Sequence, residues 1–318
     1  AYDFKMPAVA LTDHGNIFGA VNFFQQAKER EIKPILGCET YVARESRFEK
    51  SPDQKRPWHY HLILIVKNET GYENLCRLLT KAYLEGLYYK HRIDKALLAE
   101  HSEGLIGLSG CLQGEVAQYL SLGMADKAEA VAREYAGFFS EGDFYIEIMD
   151  HGLPAQKEVL DPLIRLARNL DLPLVATNDV HFLRKEDAES HDILLCVQTN
   201  KKVTEQERIR FGSQEFYFKS PEEMADLFPQ VPDAIYNTVK IAAKCDFDFP
   251  SGEYFLPNFT PEKGEPLDDF FEKVVWEGFE QRMEKLSPRI EKKELPEREA
   301  YDARLKKEIH LVKQMGFA

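Results

Sequence analysis

Eight side chains able to bind a divalent metal stand in or beside short apolar runs: Asp13, His14, Glu39, His61, Cys111, Glu147, Asp179 and His181. Imidazole, thiolate and carboxylate donors together suit zinc-like ions. Two or three such ions, bridged by carboxylates, would activate water against a phosphoester. Taken singly, each residue has a plainer reading. Asp13-His14 before Gly15 reads as a turn, Cys111 as a small buried hydrophobe, and Glu147 as a mid-strand residue facing solvent. Glu39 has less excuse, because a carboxylate inside an apolar strand needs a partner charge or a metal. Asp179 and His181 follow Leu174-Val175-Ala176, and if extension persists through Val180 their side chains share one face. The plain alternative is a strand exit whose Asp caps the next helix. His59, His91, His101, His151, His191 and His310 have no comparable context and are expected at the surface.

The elements that must position these residues alternate. Apolar strands are predicted at 8–11, 33–42, 61–66, 104–109, 144–148 and 174–177, with helical spacing near 17–30, 71–84, 113–121, 125–139 and 155–170. This order predicts α/β architecture with a largely parallel sheet, either a barrel or a doubly wound sheet, with chemistry at the strand ends. Residues 44–58 are charged and contain Pro, and read as an exposed loop. Glu215-Phe216-Tyr217-Phe218 reads as a short strand. Ser220-Pro221-Glu222-Glu223 carries the cap, the first-turn Pro and the glutamate of a capping box, so a helix starts there. A second helix is predicted over 232–245. Phe249 to Gly264 is rich in Pro and Gly and is the best linker. From Leu267 to Gly316 the pattern is helical, with a break expected around Ser287-Pro288.

Composition narrows the classes. No apolar run is long enough to span a membrane. The five cysteines are scattered and never form a C-x-x-C pair, which argues for reduced thiols in a cytoplasm. With 41 Lys and Arg against 54 Asp and Glu, the formal charge of −13 repels a phosphate backbone.

The order of the pieces carries a resemblance. Leu11-Thr12-Asp13-His14-Gly15-Asn16, Lys33 through Glu39, His61-Leu62, Leu108-Ser109-Gly110-Cys111 and Ala176 through His181 resemble the PHP (polymerase and histidinol phosphatase) domain. More narrowly they resemble that domain in the bacterial replicative C-family polymerases, the DNA polymerase III alpha subunits. Asn68 through Leu75, Leu84-Glu85-Gly86, Arg92-Ile93-Asp94, Gly252 through Pro257 and Glu308 through Phe317 agree with the narrower likeness. The resemblance implies a PHP-type distorted barrel of seven strand–helix units, its first strand preceding Ala1, followed by a mainly helical extension. It implies a PHP domain over 1–257, with the barrel core at about 8–200, and a helical connection into a polymerase palm over 258–318.

It also implies a site for up to three divalent metals, zinc or manganese, held by His14, Glu39, His61, Cys111, Asp179 and His181. Cys111 stands where other members carry a histidine. The magnesium-binding polymerase site would lie outside this stretch. The expected function is a phosphoesterase or 3′–5′ exonuclease site within a DNA-directed DNA polymerase. The alternative is a metal-stabilised scaffold that docks a proofreading exonuclease subunit; a free-standing histidinol-phosphate phosphatase is the remote third. Implied partners are that subunit, other replicase subunits and DNA through the rest of the polymerase, with no membrane.

Overall fold

The computed structural model describes residues 1–50, 59–250, 252, 257 and 259–318. The chain divides into two compact units, Ala1–Phe249 and Pro250–Ala318. In the first, the order is β1 (Ala8–Leu11), α1 (Ala20–Lys28), β2 (Lys33–Ala43), β3 (His59–Val66), α2 (Glu69–Leu84), β4 (Leu87–Tyr88), β5 (Lys90–Ile93), α3 (Lys95–Glu100), β6 (Leu105–Leu108), α4 (Glu115–Ser121), α5 (Ala125–Ala136), β7 (Phe144–Ile148), α6 (Pro154–Leu170), β8 (Leu174–Ala176), α7 (Ala188–Thr199), α8 (Pro221–Leu227) and α9 (Pro232–Lys244). The second holds α10 (Leu267–Glu291) and α11 (Arg298–Gln314).

The strands form one curled sheet in the order β4-β5-β2-β3-β6-β7-β8, with β1 also on β2. Six strands run the same way; β3 and the two-residue β4 run against them. The reversal of β3 has a simple cause. Among the described residues the next element after β2 is β3, its direct neighbour in the sheet, and consecutive strands that return beside one another pair antiparallel. A reversed strand starts where its neighbours end. His61, near the start of β3, therefore lies at the same end of the sheet as Glu39.

Alternation along the strands sorts two cores. Leu36, Cys38, Val42, Leu62, Leu64 and Val66 face the helices, while Ile35, Ile63, Ile65, Leu108, Tyr145 and Val175 fill the inner face. Counting on by twos along that inner face reaches Glu39 in β2, His61 in β3, Glu147 in β7 and Thr177 after β8. The apolar inner face thus ends in a polar one. At the far edge, the Asn237 Nδ2 of α9 donates to Leu174 O of β8 at 2.7 Å.

Several expectations need correction. Glu215–Phe218 forms no strand; it contributes one bridge, Phe182 to Tyr217. The helix break is not at Ser287-Pro288: α10 runs through Pro288 to Glu291, and the interruption is the Lys292–Glu297 connection. The loop prediction over 44–58 lies partly outside the described residues. Its described part is anchored, because the Arg47 guanidinium bonds Glu85 at 2.6 Å and Asp94 at 3.0 Å. The Glu253–Leu256 part of the family likeness also lies outside the described residues. The capping box forms as expected, with Glu223 N donating to Ser220 Oγ and Ser220 N to Glu223 Oε2. Hairpin β4–β5, α3 and α7 had no expectation. The apolar run Ile193-Leu194-Leu195-Cys196-Val197 in α7 is continuous rather than periodic, which hides a helix.

Candidate metal centre

Strand β2 assembles the site because its edge changes partner. Residues Lys33 to Leu36 pair with β1, and Tyr41 to Val42 with β5. Between them, at Glu39, the loop after β1 takes over. Gly15 N donates to Glu39 O at 2.8 Å and Glu39 N to Asp13 O at 3.1 Å, so His14 sits opposite Glu39. Gly15 is required there: its φ is +66°, and a Cβ would lie 1.9 Å from His91 Nε2.

Glu39 is the electrostatic centre. Its buried Oε1 lies 2.6 Å from His14 Nδ1 and 2.8 Å from His61 Nδ1. Despite this closeness, the oxygen has no partner at a hydrogen-bonding angle. Burial disfavours its charge, but the two imidazoles outweigh that and hold the carboxyl down at about 2. In return, Glu39 raises the pKa of His14.

Cys111 follows β6 in a turn that passes under His61. Gly110 has φ +83°, and a Cβ there would meet His61 O at 2.5 Å. The turn sets Cys111 Sγ 3.6 Å from His61 Nδ1. Burial pushes the thiol well above its usual pKa, so a thiolate at this position needs a cation beside it.

Asp179 and His181 come together by a different route from the one expected. Extension stops at Ala176, and Asp179 turns with φ 41° in the left-handed region, which Asp tolerates better than most residues. The turn puts His181 Nδ1 2.8 Å from Asp179 O and 3.8 Å from Asp179 Oδ1. It also brings the His181 ring to 6.0 Å from that of His14.

His151, expected at the surface, is fully buried beneath this turn. Its Nε2 lies 2.8 Å from Asn178 O, its Nδ1 2.8 Å from Gln156 Nε2, and its ring stacks on Phe216 at 4.0 Å. His59, His91 and His191 are half-buried around the same site, against Tyr41, Tyr83 and His181. His101 is half-buried elsewhere, and of the six only His310 is exposed.

Glu147 is a further correction: it faces the inner core, not solvent. Thr177 Oγ1 donates to its Oε1 at 2.6 Å, while its Oε2 is buried without a partner. Burial pushes its pKa up to about 8, although Thr177 acts the other way. The signal was available in sequence. Glu147 sits between Ile146 and Ile148 in a strand buried on both faces, the same context that singled out Glu39.

The structure thus gathers His14, Glu39, His61, Cys111, Asp179 and His181 at one end of the sheet and adds Glu147. The donor chemistry fits a divalent ion: nitrogen, sulfur and oxygen donors surround two buried carboxyl oxygens, Glu39 Oε1 and Glu147 Oε2, that lack hydrogen-bond partners. Among the described residues no three of these donors are already arranged about one ion position. The contacts of Glu39 say why. Donors about a tetrahedral ion stand roughly 3.4 Å apart at ~2.1 Å bond lengths, so His14 and His61 must each swing away from Glu39 to admit one.

Residues 1–151 match the family model described as the PHP domain. That stretch of the chain is thus of PHP-domain type, and the curled sheet with its helical extension is consistent with a PHP-type distorted barrel. Within that class the chain is a homologue of DNA polymerase III subunit alpha. The Treponema pallidum protein of that name is 45% identical over 89% of this chain and 24% of its own length. That of Thermus aquaticus is 44% identical over 87% of the chain and 23% of its own. That of Campylobacter jejuni is 38% identical over 98% and 27%. The chain spans about a quarter of the length of these relatives. No helix among the described residues is long and apolar enough to cross a membrane.

Proposed function

We propose that the centre at His14, Glu39, His61, Cys111, Asp179 and His181 binds divalent metal, zinc or manganese, and hydrolyses phosphodiesters of nucleic acid in the manner of a 3′–5′ exonuclease. The observation that carries this reading is Glu39: a buried carboxylate oxygen approached by two imidazole nitrogens, neither at a hydrogen-bonding angle. When bound, metal ions supply Lewis acidity toward a phosphoryl oxygen and lower the pKa of water. The chain supplies the rest. Glu39 and Asp179 provide negative charge for cations, His14 and His181 stand at the rim, and Cys111 and His61 close the wall behind them. Hydrolysis adds water across the P–O bond, with hydroxyl to phosphorus and a proton to the departing oxygen. In the whole protein, the domain would serve a DNA-directed DNA polymerase, beside a proofreading exonuclease subunit and other replicase subunits.

The test is elemental analysis of the purified chain together with hydrolysis of bis(p-nitrophenyl) phosphate, with and without chelator. Bound metal and chelator-sensitive hydrolysis, both lost in Glu39→Gln, are expected. Metal-free protein after reconstitution, or hydrolysis indifferent to chelator, would overturn the reading.

A second reading has its own support. Leu194 and Val197, one turn apart on α7, are each more than 60% exposed, as are Leu183 before that helix and Ile209 after it. Such exposure suits a scaffold that docks another replicase subunit while metal serves stability alone. Under that reading, chelation lowers thermal stability and no hydrolysis appears at any metal concentration.

A further inference from the structure

A cavity of about 380 Å3 lies between Phe182 and Gln214, within the size range of small-ligand sites. Among its lining residues are His191, Asp192, Arg208, Phe211 and Gln214. It shares a wall with the metal centre, because the His181 ring lies 4.6 Å from Phe211 and 5.8 Å from His191. Phe211 and His191 both line it and are themselves packed edge to face, 5.0 Å apart at 67°.

Its charged groups cancel. Arg208 and Arg210 stand against Asp192 and Glu189 in the lining. The Arg208 side chain is only 3% exposed, and its two terminal nitrogens clamp Asp192 at 2.5 and 2.6 Å. Its Nε is buried with no hydrogen-bond partner, a donor without an acceptor. A phosphate would meet little net positive charge in such a lining. A flat, uncharged ligand with polar groups along its edge would find an aromatic face to stack on and the Gln214 amide among the lining groups.

We propose that this cavity receives the base of the nucleotide whose phosphoester lies at the metal centre. The inference rests on the phosphoester reading for its orientation and adds what that reading lacks, a means of recognising nucleotides over other phosphoesters. Charge supports a local contact. A chain of net charge −13 does not hold a long phosphate backbone by attraction, so grip on a single base is the recognition open to it. One of the two rings, Phe211 or His191, stacks on the base while the other meets its edge, and Gln214 reaches its polar rim.

The test compares deoxyadenosine 5′-monophosphate with deoxyribose 5-phosphate, which lacks the base, by isothermal titration of the full 318-residue chain in chelator. The nucleotide is expected to bind about tenfold or more tightly, as stacking of one base allows. Phe211→Leu keeps an apolar side chain but loses the aromatic face, and Gln214→Ala removes one edge contact; each should shrink the difference. Equal binding of the two probes by the unmodified chain overturns the inference, as does a difference that survives intact in both variants. Hydrolysis of bis(p-nitrophenyl) phosphate is scored separately. Its absence beside clear base discrimination would reject the phosphoesterase reading and leave the base cavity standing.

Discussion

The candidate metal centre has a floor of strand residues and a rim of turn residues, and the chain holds the two differently. Glu39 and Glu147 are buried in β2 and β7, and the His61 side chain is 11% exposed. On the rim, the side chain of His14 is 51% exposed, and Asp179 and His181 hang on one left-handed turn. Ladder hydrogen bonds fix the floor from both sides, whereas a rim side chain can rotate at little cost. The floor therefore sets the charge of the site and the rim adapts to what enters. Within the floor, the two carboxyls diverge. Glu39 has two imidazoles and titrates at about 2; Glu147 has a hydroxyl and titrates at about 8. Neighbours, not depth, decide which buried acid stays charged.

The comparison is broken most severely at Glu39. Glu39→Gln keeps the shape and removes the charge, and metal affinity should fall by roughly a hundredfold or more, above the 10–100-fold typical of supporting residues. Competition with a chromogenic chelator measures it; an unchanged affinity would mean that the floor does not bind the ion. Cys111→Ser should weaken metal by about tenfold and leave the fold intact, since Ser is nearly isosteric but a poorer ligand for a zinc-like ion. Unaltered metal content in that variant would make Cys111 a core residue.

Glu147→Gln separates the two acids by pH. The folded pKa of Glu147 lies above the ordinary 4.5, so its stabilising contribution is complete below that value and is lost as pH rises through about 8. In chelator, the variant should match the parent near pH 4.5 and exceed it by up to about 5 kcal/mol near pH 9, read by urea unfolding. Parallel pH profiles for the two proteins would show that Glu147 is not desolvated. Glu39 has the opposite slope: its contribution is present above 4.5 and is lost as pH falls toward about 2. The smallest effect belongs to the rim. His14→Gln should move the Glu39 carboxyl upward by about one unit in an NMR titration, because His61 remains beside it. A larger move would make the rim as important to Glu39 as the floor.

Much of this was legible in sequence, and the failures have physical causes. Strand and helix order followed from period, and Glu39 stood out because a carboxylate interrupts an apolar strand. Glu147 did so equally, yet reads as solvent-facing when one face of its strand is assumed wet. The position of His61 near a strand start was an obstacle only while every strand was taken to run the same way. The charged, Pro-containing sequence over 44–58 reads as a loop, and that was already the sign that β3 returns. Asp179 and His181 meet through a left-handed turn that alternation does not encode. His151 was lost because two of its contacts, Asn178 O and the Phe216 ring, lie on distant segments that only tertiary packing brings near; Gln156, five residues on, is its local partner.

The shared edge of β2 has a consequence for the order in which the molecule forms. Of the pairings that build the site, β2–β3 closes the shortest loop, Ala43 to His59, and β1 pairs across the somewhat longer Leu11-to-Lys33 connection, whereas β5 and the turn after β8 come from further along the chain. Glu39 and His61 can thus meet early, but His14 takes its place only once β1 has docked, and His181 later still. On the proposed reading, capacity to hold an ion matures with the last of these arrivals, and the time course of metal uptake during refolding would report the completion of the sheet.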